Sequence, residues 1–190
     1  MAPWRSPLSR ALHLNRSLVY ARYVQLATVR PDGRPANRTV VFRGFLDPTN
    51  QLKFITDIRS AKPEQIAHQC WGEVCWYFPK SREQFRLLGR LVLIDEDYPD
   101  ATLQQARQQQ WQALSDAARL QFAWPHPAQP RRPVAEFSPP LPNPAVPLPT
   151  FCLLLLDPVA VDHLQLRGEP QSRDRYFETS EGWKMESVNP

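Results

Sequence analysis

Two stretches of this chain decide its fold: RTVVFR at residues 38–43 and TDIRSAK at residues 56–62. The first predicts a β-strand, because a run of β-branched and aromatic residues stands between two arginines. The second predicts the end of a strand and the start of a helix, since Ser60 is a favourable N-cap residue. A turn at residues 47–50 joins them, so cations, hydroxyls and a helix N-terminus meet in one hairpin and its exit. Charge-assisted donors and free backbone N–H groups are suited to binding a phosphate dianion.

Hydrophobic periodicity along the rest of the chain predicts mainly strands. The Asp-Gly pair at residues 32–33 predicts a hairpin turn between the first two of them. Helices are predicted over residues 4–22 and 60–69, and one or two more over residues 100–122. The predicted strands cover residues 23–29, 37–45, 51–56, 71–78, 84–95, 151–156, 162–166, 173–178 and 183–188. We therefore expect a mainly β (α+β) fold, an antiparallel β-barrel with peripheral helices.

One region interrupts this pattern. Prolines recur throughout residues 125–149, which excludes a regular helix or a central strand there. Such a segment is either a disordered linker or an extended stretch laid over the surface. Its interspersed apolar residues favour the ordered alternative. We expect one domain over residues 1–190, with a helical insertion at about 99–122 and this proline-rich extended segment.

Composition excludes several classes of function. The 190 residues include 23 basic and 19 acidic side chains, a net charge of +4. The basic residues are scattered, which argues against nucleic-acid binding. The longest apolar run, residues 151–156, is too short to span a membrane, and the N-terminus has no signal-peptide pattern, so we predict a cytoplasmic protein. Cys70, Cys75 and Cys152 predict reduced structural thiols and no metal site.

The two opening stretches, taken with others, resemble the pyridoxamine 5′-phosphate oxidases, which are flavin enzymes with a split β-barrel fold. Residues 38–43 are similar to their R-[IT]-V-[LV]-[LF]-[KR] strand. Residues 54–62 are similar to their F-Y-T-[ND]-x-x-S-[RA]-K segment. Further similarities follow in the same order along the chain at residues 78–89, 146–151, 168–176 and 183–184. The middle of the chain is more similar to the FMN-binding relatives of these oxidases.

The resemblance implies FMN as the cofactor and a homodimer in which two subunits build each site. The residues that it implies for FMN binding are Arg38, Thr39, Val40, Val41, Ile55, Thr56, Ser60, Lys62, Gln84 and Arg175. It implies substrate-binding roles for Arg43 and Arg173. Considered alone, Arg43 and Lys62 are also compatible with solvated surface cations.

The motifs around the substrate in these oxidases are changed in this chain. Where the oxidases have an R-x-H-D-R run, Gln171 and Arg173 stand at the positions of the first Arg and the His, and Ser187 departs from their C-terminal motif. Arg173 shares a strand face with Arg175, and a guanidinium stays charged, so we expect Arg173 to bind an anion and not to exchange a proton.

Three functions are open at this point, and no catalytic residue is assigned. The first is an FMN-dependent oxidase resembling pyridoxamine/pyridoxine 5′-phosphate oxidase, which oxidises a small phosphorylated or anionic substrate by hydride transfer to FMN. The second is an FMN-dependent reductase with a different substrate. The third is a non-catalytic flavin-binding module.

Overall fold

The structure is a computed structural model that describes residues 1–190, and its centre is one antiparallel sheet of eight strands. The strands are β1 (Tyr23–Val29), β2 (Pro35–Val41), β3 (Leu52–Asp57), β4 (Trp71–Phe78), β5 (Glu83–Ile94), β6 (Phe151–Gln165), β7 (Ser172–Thr179) and β8 (Gly182–Val188). The helices are α1 (Arg5–Leu14), α2 (Ala61–His68), α3 (Ala101–Gln112) and α4 (Asp116–Leu120), with short 3-10 turns at Gln121–Ala123 and Val134–Phe137.

The order of the strands makes the sheet a split barrel. Neighbouring strands follow the order β2-β1-β4-β5-β6-β7-β8, and β3 pairs with the first half of β6. Beyond the end of β2, the Arg43 N–H donates to the Lys53 carbonyl at 2.9 Å, and the Lys53 N–H donates to the Gly44 carbonyl at 2.8 Å. This short link, in place of a full ladder, joins the β2 side to β3. The predicted antiparallel split barrel with peripheral helices is confirmed.

Aromatic side chains fill the interior of the barrel. Alternate residues of β1, β4 and β5 are buried, as expected of strands with one covered face. Trp76 packs against Phe42 and Phe78, with ring centroids 4.8 and 5.0 Å apart. Helix α1 adds Leu8 to the same core, its N-cap residue adds Trp4, and both side chains are fully buried. Burying each of these side chains contributes about 1.5–3 kcal/mol.

A second, smaller core attaches α3 and α4 to the barrel. Trp111, Phe122 and Phe151 meet edge to face, with centroid separations of 5.1 Å between Trp111 and Phe151 and 5.0 Å between Phe122 and Phe151. Edge-to-face packing is the arrangement that aromatic quadrupoles favour. Phe122, which precedes the proline-rich segment, is thereby fixed against the first residue of β6.

The proline-rich segment is ordered through hydrogen bonds from α3. The Arg107 guanidinium donates to the carbonyls of Phe151 and Leu148 at 3.0 and 2.9 Å. The Trp111 indole donates to the Asn143 carbonyl at 3.0 Å. Because prolines leave many carbonyls without a ladder partner, side chains of α3 supply the donors. These contacts hold Asn143 and Leu148 of the segment against α3.

Three predicted boundaries were wrong. Helix α1 ends at Leu14 and not near residue 22, because the buried Asn15 side chain bonds the Ala11 carbonyl and Ser81 and accepts from the Lys80 N–H. Strand β2 stops at Val41, and the chain then bends through Gly44, whose φ is +103°. The two strands predicted at 151–156 and 162–166 are one continuous strand, β6.

Strand β6 has an irregularity where it pairs with β5. The register between β5 and β6 shifts at Leu88 and Gly89, opposite Pro158, which has no N–H to donate to a ladder. A Cβ at Gly89 would lie 2.2 Å from the Asp157 carbonyl oxygen. Glycine at position 89 therefore permits the close approach of β5 to β6 at Pro158.

Candidate flavin site

A cavity of about 750 Å³ opens between the edge strand β2, the junction of β3 with α2, and residues 118–137. This volume lies within the range typical of small-molecule sites. Nine of the twelve residues predicted to contact cofactor or substrate line it: Arg38, Thr39, Val40, Val41, Arg43, Ile55, Thr56, Ser60 and Lys62. Two segments that are separate in sequence thus form one surface.

Arg38 is held in place by neighbours on two elements. Its Nη1 donates to Thr28 Oγ1 at 2.6 Å, and its Nη2 donates to Gln65 Oε1 at 2.9 Å. Thr28 Oγ1 in turn donates to Gln65 Oε1 at 2.6 Å. Burial, followed by the charge of Arg30, lowers the pKa of Arg38. No carboxylate pairs with Arg38, so it is an oriented, partly desolvated cation with its charge uncompensated.

The side chains of Lys62 and Arg43 have no protein partner. No side-chain hydrogen bond or ion pair forms at either residue, and the Nε of Arg43 is buried without an acceptor. Burial and the nearby charge of Arg38 lower the pKa of Lys62, against a smaller opposing effect of Asp57. Burial is also the main cause of the lowered pKa of Arg43. Leaving partly buried cations unpaired is costly, so this arrangement favours an anionic ligand.

Two hydroxyl groups stand beside these cations at the N-terminus of α2. Thr56 Oγ1 and Ser60 Oγ lie 3.3 Å apart, and Thr56 is buried. Ser60 occupies the predicted N-cap position with an extended backbone, but its side chain makes no capping hydrogen bond. Its hydroxyl is therefore available to a ligand, as are N–H groups of the first turn of α2.

An ion pair that the sequence analysis missed fixes the loop between those hydroxyls. Arg59 Nη2 lies 2.6 Å from Asp57 Oδ2, and Arg59 Nε donates to Asp57 Oδ1 at 2.9 Å. The same guanidinium donates to the carbonyls of Trp124 and Phe122 at 3.0 and 3.2 Å. Arg59 thus connects the loop at the N-terminus of α2 to the opposite wall of the cavity. The local Asp-x-Arg spacing signals the ion pair, but nothing in the sequence signals the two carbonyl partners.

That opposite wall is the strap, which we define as residues 122–137. Trp124 lines the cavity from this wall. The Trp124 and Phe137 rings meet edge to face at 5.7 Å, and the indole Nε1 of Trp124 is buried without an acceptor. Buried N–H groups in proteins are nearly always bonded, so this donor favours a ligand or an ordered water.

Three predicted residues lie elsewhere within the single chain. Gln84 lies on β5, outside the cavity lining. Arg173 forms a bidentate ion pair with Asp162, in which Nη2 donates to Oδ2 at 2.7 Å and Nε donates to Oδ1 at 3.0 Å. Arg175 pairs with Glu186 at 3.2 Å and lies over the Phe177 ring. Their assignments stay predictions, and within one chain they do not join the other nine.

The site offers donors and cations but no nucleophile with a base. His126 is the only histidine that lines the cavity, and its ring nitrogen bonds the carbonyl of the adjacent Pro127. No group of three or more His, Cys, Asp or Glu side chains is placed to hold a metal ion. None of the helices has both the length and the apolar character needed to cross a membrane. The arrangement is that of a binding site for an anionic cofactor.

Sequence comparison agrees with this geometry. Residues 1–95 match the family described as pyridoxamine 5′-phosphate oxidase, FMN-binding domain. A pyridoxine/pyridoxamine 5′-phosphate oxidase 2 of Arabidopsis thaliana is 40% identical over 194 residues, which cover 100% of this chain and 98% of the relative. The chain therefore belongs to the pyridoxamine 5′-phosphate oxidase FMN-binding family, and FMN is the cofactor of that family.

Solved structures share the fold over the whole chain. A pyridoxamine 5′-phosphate oxidase-related, FMN-binding protein from Nostoc punctiforme superposes with a TM-score of 0.97 at 61% identity, covering 100% of this chain and 99% of that one. PhzG from Burkholderia lata, solved in complex with tetrahydrophenazine-1-carboxylic acid, superposes with a TM-score of 0.81 at 18% identity, covering 100% and 94%. The second likeness concerns the fold alone.

Proposed function

We propose that this protein is an FMN-dependent oxidoreductase that acts on a small anionic substrate. The observation that carries the proposal is the set of three uncompensated, partly buried cations, Arg38, Arg43 and Lys62, in one cavity. The residues fit FMN because its phosphate supplies the negative charge that they lack. The family and the Arabidopsis relative support the same class of function.

Eight residues of the cavity have a role in this proposal. Arg38 and Lys62 neutralise the phosphate, and the hydroxyls of Thr56 and Ser60 donate to its oxygens. The backbone of residues 39–41 binds the polar edge of the flavin ring, and Ile55 packs against the ring. Bound FMN supplies the hydride chemistry, and the protein supplies binding, orientation and exclusion of water.

The residues outside the cavity motivate a homodimer. Gln84 and Arg175 lie on strands of the sheet and not in the cavity of their own chain. The family resemblance assigns both to flavin binding, which requires that a second subunit bring them to the site. We therefore propose that two subunits share each flavin. Sedimentation of the FMN-loaded protein should give a dimer, and a stable FMN-loaded monomer would contradict this part of the proposal.

One observation favours a substrate other than a vitamin B6 phosphate. Arg173, which stands at the position of a histidine in the oxidases, is already paired with Asp162. A paired guanidinium neither exchanges a proton near neutral pH nor offers a free charge to a phosphate. The second candidate function is therefore an FMN-dependent reductase or oxidase with a different anionic substrate.

The test begins with the visible spectrum of the purified protein. An FMN-loaded protein should be yellow, and an apoprotein should take up FMN added in solution. Anaerobic addition of pyridoxine 5′-phosphate, pyridoxamine 5′-phosphate or a pyridine nucleotide then shows which compound bleaches the flavin. Robust bleaching by the vitamin B6 phosphates would exclude the second candidate. A protein that takes up no FMN would overturn the proposed function, and FMN that no donor reduces would indicate a non-catalytic module.

A further inference from the structure

The cavity has two chemically different ends. The phosphate end contains Arg38, Lys62 and the two hydroxyls of the α2 N-terminus. The strap continues into an adjoining space of about 700 Å³, lined by residues 123–126, 129–132 and Glu136. None of the phosphate-end residues lines this second space. The second space is therefore an extension of the cavity on the side away from the phosphate end.

The strap end also has two polar groups without a hydrogen-bond or ion-pair partner, one buried and one exposed to solvent. The buried indole Nε1 of Trp124 has no acceptor. Arg131 makes no ion pair, and its guanidinium carbon lies 4.4 Å above the Phe137 ring. The neighbouring Arg132 differs, because Glu136 neutralises it at 3.0 Å. One buried donor, one free cation and two aromatic rings thus converge on the same wall.

The chemistry of this wall limits what it can bind. A donor without an acceptor and a cation without a partner favour a ligand that carries negative charge. The Trp124 and Phe137 rings offer apolar surface, which favours a ligand with an aromatic or otherwise apolar body. Arg59 fixes Trp124 by bonding its carbonyl, so the wall is formed before a ligand arrives.

We propose that the strap end is a second ligand subsite, which binds the anionic group and apolar body of the substrate. Trp124 Nε1 donates to an acceptor of the ligand, Arg131 attracts its carboxylate or phosphate, and Phe137 packs against its body. The proposal rests on the proposed function, because FMN fills the phosphate end. It makes Trp124 and Arg131 specificity-determining residues contributed by the strap.

The experiment measures binding to the FMN-loaded full-length protein. Pyridoxal 5′-phosphate serves as an aromatic phosphate, benzoate as an aromatic carboxylate and benzyl alcohol as a neutral counterpart, each titrated by the change in the visible flavin spectrum and by calorimetry. Trp124→Phe keeps an aromatic ring but removes the N–H, and Arg131→Gln removes an exposed charge. Arg34→Gln removes a charge from the hairpin turn outside the cavity and is the matched control.

We expect at least one of the two anions to bind wild type more tightly than benzyl alcohol. Trp124→Phe and Arg131→Gln should each weaken that binding about tenfold. Arg34→Gln should leave it unchanged, and all three variants should keep wild-type FMN affinity. Binding of pyridoxal 5′-phosphate alone would identify the anion as phosphate, and binding of benzoate alone would identify it as carboxylate.

Three results would overturn the subsite. They are the absence of anion binding to the loaded wild type, unchanged anion binding in both variants, and a loss of FMN affinity in Trp124→Phe, which would show that the indole serves the flavin. If the protein takes up no FMN, the proposed function fails separately. In that case, benzoate binding to the apoprotein, measured by calorimetry, tests the subsite. Trp124→Phe and Arg131→Gln should again each weaken benzoate binding about tenfold.

Discussion

Arg59 gives the sharpest test of how the cavity is assembled, because one guanidinium connects its two walls. Arg59→Ala removes an ion pair of 2.6 Å whose side chains are 22% and 18% exposed, together with hydrogen bonds to two carbonyls. Hydrogen bonds to charged groups contribute about 1.5–3 kcal/mol, and the loss leaves Asp57 partly buried and unpaired. We expect the free energy of unfolding to fall by about 2–4 kcal/mol.

The matched control is another arginine ion pair in the strap. Arg132 and Glu136 lie 3.0 Å apart, but their side chains are 61% and 42% exposed. Exposed pairs contribute about 0.2–1 kcal/mol, so Arg132→Ala should lower the free energy of unfolding by no more than about 1 kcal/mol. Arg59→Lys should recover only part of the loss, since one ammonium cannot reproduce the planar fork of a guanidinium.

Two assays separate local from global effects. Urea unfolding gives the change in the free energy of unfolding, and hydrogen exchange of the strap amides gives the local opening. A local loss of 2 kcal/mol should speed exchange of the strap amides about thirtyfold. A double-mutant cycle with Asp57→Asn isolates the ion pair itself. If Arg59→Ala changes neither stability nor strap exchange by more than the Arg132→Ala control, Arg59 does not hold the two walls together.

The remaining predictions concern the phosphate end, the barrel and a buried histidine. Arg38→Ala and Lys62→Ala should each weaken FMN binding about ten- to a hundredfold in fluorescence titrations, and wild-type affinity in both variants would place the phosphate elsewhere. Burial lowers the pKa of Lys62 from 10.5, so the lysine loses its charge as the pH rises toward that value, and FMN affinity should fall with it. Lys62→Arg should remove that pH dependence. Gly89→Ala should lower the melting temperature strongly, since the new Cβ meets backbone atoms at 2.2 Å, whereas an unchanged melting temperature would disprove the tight bulge. Burial lowers the pKa of His163 below the unfolded value of about 6.5. The contribution of His163 to the free energy of unfolding is therefore complete above that pH and declines as the pH falls. In parallel urea titrations, His163→Gln should lack this decline.

The sequence alone determined most of the strands and the phosphate end of the cavity. Alternation of apolar residues sets strands such as β1 and β4, because a strand with one buried face needs that period. The phosphate end lies within residues 38–62, where a hairpin and the following helix bring the cations and hydroxyls together by local geometry. A resemblance built on short ordered motifs therefore led to nine residues that share one cavity.

Only the tertiary structure decided the far wall of the site and the exact ends of several elements. Trp124 reaches the cavity because Arg59 bonds its carbonyl from a loop 65 positions earlier in the chain. Long-range contacts of this kind leave no local period in the sequence. Strand β6 continues through Pro158 because Gly89 on β5 leaves space for the shifted register between the two strands. Arg173 is paired with Asp162, a partner that depends on how β6 and β7 align and not on the spacing of residues within β7.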